Sequence, residues 1–117
     1  MSARTRGDGR AARAIQVKPY VIGDQAEQDL IDALVYDALY WGDSGCELHA
    51  VFLAAFERIG RSPGAFPSAG YGNRMLILQG VPFAIVYLDQ PHRVWITAVA
   101  NTNRRYGYWR LRKPPRD

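Results

Sequence analysis

The apolar residues of this chain repeat with one period before Gly72 and with another after it, and that change leaves few possible folds. Leu30, Leu34, Ala38 and Trp41, flanked by Ile31 and Val35, recur at helical spacing, and so do Leu48, Phe52, Ala55, Phe56 and Ile59. This spacing lays apolar side chains along one face of a helix. Asp24 with Glu27, and Ser44 with Glu47, have the spacing of a capping box, in which side chains satisfy orphaned N–H groups at a helix start. Gly42 and Gly60 are expected to end the two helices. The turn between them is only a few residues long, so they should pack as an antiparallel hairpin.

After Gly72 the period falls to two. "NRMLILQ", "VPFAIVYLD" and "RVWITAVA" are rich in Ile, Val, Leu and aromatics, and "QGVP" and "DQPH" supply turns between them. Short connections favour an antiparallel meander. "AIQVKPY", with Ile15 and Val17 on one face, reads as an earlier strand ended by Pro19, and "RSPGAFPSAGYG" as a turn-rich loop. The expected architecture is α+β: an N-terminal strand, a helical hairpin, then a three-stranded meander, with the hairpin packed on one face of a mostly antiparallel sheet.

A chain of 117 residues has room for one such domain. It is expected over residues 14–112, between a flexible basic tail at 1–13 and a short tail at 113–117. Residues 1–13 offer no bulky apolar group after Met1 to repay the entropy of ordering them. They also lack the apolar stretch of a secretory signal. The longest uncharged run, "MLILQGVPFAIVYL", has 14 residues, fewer than the roughly 18 that cross a bilayer. No membrane contact is expected, and a cytoplasmic setting suits the lone Cys46.

Charge is unevenly placed. The formal net charge is +4, but residues 1–13 carry +3 and residues 104–117 carry +5, which leaves −4 on the stretch between. Basic ends on an acidic body point to an anionic partner, whether nucleic acid or acidic protein.

Conventional catalytic groups are sparse. His49 and His92 are the only histidines, far apart and without a carboxylate at ligand spacing, so neither a metal nor a cofactor is expected. Cys46 has no base arranged beside it, and "GYG" at 70–72 is too sparse for a phosphate cradle. What remains is "NTNRRYGYWRLR", residues 101–112. Its arginines, with Tyr106, Tyr108 and Trp109, suit three roles: gripping an acidic protein, holding a nucleic acid by phosphate and stacking, or covering one end of the sheet.

The stretch "GVPFAIVYLDQPHRVWITAVANTNRRYGYWRLR" resembles the C-terminal half of the RelE/ParE toxins of bacterial type II toxin–antitoxin pairs. The likeness is carried by Arg74, by Val81-Pro82-Phe83 with Ile85 and Tyr87, and by Ala98-Val99-Ala100. Arg104, Arg105, Gly107, Tyr108, Trp109 and Arg112 follow in order. With the hairpin and "SPGAFP" included, it extends over about residues 14–112. Asn101 departs from a frequent histidine and Tyr106 from a proline. Where the RNA-cutting branch is similar in placing basic residues, this chain has Met75, Ile77, Ala84 and Thr102.

The resemblance therefore implies a member of the ParE-like branch, neutralised by a cognate antitoxin and acting on DNA gyrase by binding. Its expected target-facing residues are Arg74, Arg104, Arg105, Tyr108, Trp109 and Arg112. Tyr108 is also a weak catalytic candidate for the alternative, a ribosome-dependent mRNA endonuclease. A non-toxic binding module of the same fold is a third outcome. Asp29, Asp32 and Asp37 are read as the solvated face of the first helix.

Overall fold

A computed structural model describes residues 17–41 and 45–115. The expected tail at 1–13, residues 14–16 of the expected first strand, Gly42, Ser44 of the second capping box and the last two residues of the tail at 113–117 lie outside that range. Among the described residues the elements run β1 (Tyr20–Ile22), α1 (Asp24–Trp41), α2 (Gly45–Arg61), β2 (Ser68–Gly70), β3 (Asn73–Ile77), β4 (Phe83–Asp89) and β5 (Val94–Asn101). The strands form one sheet in the order β1-β5-β4-β3-β2. β3, β4 and β5 are the antiparallel meander, and β1 pairs parallel with β5, Tyr20 opposite Val94 and Ile22 opposite Ile96. The α+β class expected from the change of period is the one observed.

Three details differ from the sequence reading. The first strand begins after Pro19 rather than ending there: the Pro19 carbonyl accepts from the Val94 N–H at 2.8 Å, and Val17 is exposed. A proline can supply that carbonyl although it has no N–H of its own. Ser68–Gly70, read as loop, forms a short edge strand on β3. At the start of α1 the Glu27 N–H donates to the Gly23 carbonyl, so Gly23 is the cap and Asp24 lies inside the first turn. Asp24 and Glu27 there favour the helix through its dipole. Gly23 is needed for space, since a Cβ would lie 2.4 Å from the Trp95 ring.

The sheet buries both faces, unequally. On the hairpin side, Ala26 and Ala33 of α1 and Phe52, Phe56 and Ile59 of α2 pack on Ile85, Tyr87, Val94 and Ile96. Phe52 meets Phe83 edge-on at 5.5 Å, and Tyr20 meets Phe56 at 5.1 Å. On the other side Ala69, Val86, Ala98 and Ala100 form a floor of small side chains beneath Trp109.

Tyr87 ties the core to the loop before β2, its hydroxyl donating to the Pro63 carbonyl. Burial pushes its pKa from about 10 up to about 12; Arg74 opposes this and Asp89 adds to it. The unfolded chain releases this proton near pH 10, whereas the folded chain holds it to about 12. Tyr87 therefore stabilises the fold fully below pH 10, and loses that contribution as pH rises through 10 to 12. Denaturant midpoints measured across this range should fall with pH, and Tyr87→Phe should flatten the fall.

Candidate functional site

The segment after β5 is built from turns, with Arg104, Arg110 and Arg112 N–H groups donating to the Asn101, Gly107 and Trp109 carbonyls. Gly107, at φ 83°, allows the reversal that sends Trp109 back onto the sheet. Turns have no regular period, so in-facing and out-facing residues cannot be told apart by spacing. Trp109 is only 1% exposed. The indole, expected on the target-facing surface, is a lid on the second face of the sheet, with Tyr106 edge-on to it at 5.7 Å.

Arg112 also points inward. β1 pairs with β5 only as far as Ile96, so beyond that point β5 has no neighbouring strand on this side among the described residues. A bulge at Thr97, between the pairs Val86–Ala98 and Tyr87–Ile96, adds to the irregularity. Asp29 and Arg112 take the missing strand's place. Asp29 accepts from the Val99 N–H at 3.1 Å, and Arg112 donates to the Thr97 carbonyl at 3.3 Å. The two side chains pair at 2.6 Å and are 12% and 14% exposed. Asp29, read as part of a solvated face, is thus a fastening between the helix and the sheet edge. Thr97 completes the bulge by donating its hydroxyl to Asn73 at 2.6 Å in the interior.

Arg74 stands apart from the closing segment. It shares the hairpin side of the sheet with Tyr87, opposite it in register, and its guanidinium donates to the Phe66 carbonyl at 2.7 Å. Tyr108 is half-buried, with the Arg104 guanidinium 3.8 Å above its ring and that of Arg112 at 5.3 Å. Burial foremost, and the Asp29 charge next, push its phenol pKa up, against the pull of both arginines and the Asn101 N–H.

Arg104 and Arg105 are exposed, as expected of groups that meet a partner. With them in solvent are Arg110 and Tyr106 (64% exposed), which belong to the gripping composition but were not placed in the expected target-facing set, and Leu111 (77%), which the sequence did not point to. Tyr106 is also held by its edge, its hydroxyl donating to the Ala69 carbonyl at 2.7 Å. The exposed set is therefore a turn-built surface of three arginines, a tyrosine and a leucine.

Beside it lies a groove of about 720 Å³ between α1, the β3–β4 turn and the end of β5, with Asp32, Tyr36, Val81, Pro82, Asn101 and Tyr108 in its wall. His49 and His92 are exposed and outside it, and the Cys46 side chain lies beyond the described residues. No helix among the described residues is long and apolar enough to cross a membrane.

Two helices on one face of a five-stranded mixed sheet, with a turn-built lid on the other, define a fold of the RelE/ParE toxin type. One similar solved structure is a chain of the chromosomal ParDE TA system from P. aeruginosa, with a TM-score of 0.65 and 15% sequence identity over 73% of this chain and 96% of that one. Such a likeness establishes the fold. No protein-family model matches the sequence, and no curated protein matches it.

Proposed function

We propose that this chain is the toxin of a type II toxin–antitoxin pair and that it works by holding its target rather than cutting it. In this reading DNA gyrase is the target, the cytoplasm is the setting, and a cognate antitoxin keeps the toxin inactive. The observation that carries it is the lid. Metal-free cleavage of RNA needs a base, an acid and cations gathered about the phosphate. On the sheet face where a cutting relative would gather them, Ala84 is fully buried, and Met75 packs against the cluster under Trp109 and Tyr108. A phenol whose pKa is raised by burial is a poor proton acceptor near neutrality. The cations stand instead on exposed turns, which suits attachment to an acidic surface.

The test uses purified gyrase and relaxed plasmid DNA. The intact chain should inhibit supercoiling. Arg104→Ala with Arg105→Ala should weaken that inhibition at least roughly tenfold, as loss of two contact arginines commonly does. Both side chains are exposed, and the Arg104 contact over the Tyr108 ring is the one interaction lost, so the stability of the variant should stay within about 1 kcal/mol of the parent. Gyrase that is indifferent to the intact chain would remove it as the target.

A further inference from the structure

The outer face of α1 has a composition that the turn surface does not explain. Ile31, Val35 and Leu39 follow one another at a spacing of four and are 46%, 51% and 72% exposed. One helical turn advances about 3.6 residues, so the three form a single stripe about 12 Å long. The helix buries Ala26 and Ala33 against the sheet, with Leu30 and Leu34 beside them, and turns this stripe away from it.

The charges along the same helix have one sign. α1 carries Asp24, Glu27, Asp29, Asp32 and Asp37, and no lysine or arginine. Asp29 is taken up by Arg112. Asp24, Glu27 and Asp32 are exposed and border the stripe or lie at its N-terminal end, Asp32 also accepting from Gln28 at 2.8 Å.

We infer that this face docks a cationic amphipathic helix of a partner protein, one with apolar residues at spacings of three and four and lysines or arginines along its flanks. An apolar stripe rewards burial at about 25 cal/mol per Å², and rim carboxylates choose the sign of what buries it. A second copy of the same face would set three exposed carboxylates against three, and an anionic lipid surface would be repelled in the same way. The basic residues 1–13 of the chain itself have the right charge but no bulky apolar side chain after Met1 to cover the stripe. Ile31, Val35 and Leu39 lie outside the groove that Arg104 and Tyr108 line, and of the rim carboxylates only Asp32 reaches it.

The experiment measures binding of two synthetic helical peptides to the full chain by fluorescence anisotropy. Both carry the same Leu/Ile stripe; one is flanked by lysines and the other by glutamates. The lysine peptide should bind at least roughly tenfold more tightly, an advantage that shrinks with salt. Val35→Ser with Leu39→Ser should abolish binding of both peptides, and Glu27→Lys with Asp32→Lys should reverse the preference. All four positions are exposed, and unchanged circular dichroism will confirm that the variants fold.

Equal affinity for the two peptides, or none for either, overturns the inference. So does a dimer in sedimentation that Leu39→Ser dissociates, which would make a second copy the occupant. Binding to phosphatidylglycerol vesicles that requires Leu39 would likewise overturn it, in favour of a membrane.

Discussion

Trp109→Ala is expected to cost about 3–5 kcal/mol of folding free energy, the range for removing a large aromatic from a packed interior. The indole is 1% exposed and rests on Ala69, Val86, Ala98 and Ala100, four residues whose smallness makes room for it. Alanine at 109 would leave those side chains facing a cavity that rigid strands cannot close. Domains of this size are stable by about 5–15 kcal/mol, so the variant would lose between about a fifth and all of that margin. Urea unfolding followed by circular dichroism checks this: the midpoint should fall steeply, and Trp109→Phe, which keeps a ring, should recover about half the loss. A Trp109→Ala variant as stable as the parent would return the indole to the surface role that the sequence suggested. Loss of the proposed activity alone would not, because an unfolded chain is inactive too.

The second large effect is expected at the fastening between α1 and β5. Removing either partner of a mostly buried ion pair leaves the other charge uncompensated and costs about 3 kcal/mol or more. Asp29→Ala also strips the Val99 N–H of its acceptor, and Arg112→Ala strips the Thr97 carbonyl of a donor. Each single variant should therefore be destabilised by about 3 kcal/mol, and the double variant by clearly less than the sum. Lys18 with Asp89 supplies an internal control. That pair is just as short, 2.6 Å, but its side chains are 25% and 30% exposed, so its removal should cost no more than about 1 kcal/mol. Equal effects at the two pairs, measured by the same unfolding cycle, would mean that burial does not set their worth.

Some of this was legible in the residues and some was not, for reasons that can be named. The helices, the meander and the α+β class were legible because Leu30, Phe52, Ile85 and their companions repeat within single elements. The parallel strand was misplaced by a few residues, because what starts it is pairing with Val94, more than seventy positions away. β2 has the composition Ser-Ala-Gly, with no pattern to read. Asp29 looked solvated on its own helix since its partner is 83 residues further on. Trp109 looked like a contact residue because the same composition, arginines with aromatic rings, serves both surfaces and lids. The reversal at Gly107 separates the inward Trp109 from the outward Arg104 and Arg105, and the turns after it leave Arg110 outward between Trp109 and Arg112.

The central claim is that this surface binds and does not cleave. It is tested most directly by adding the purified chain to a reconstituted translation reaction programmed with end-labelled mRNA and resolving the message on a gel. An intact message at every concentration is the expected result. Discrete, ribosome-dependent cuts that disappear with Tyr108→Phe would contradict it and make the phenol under Arg104 a catalytic group.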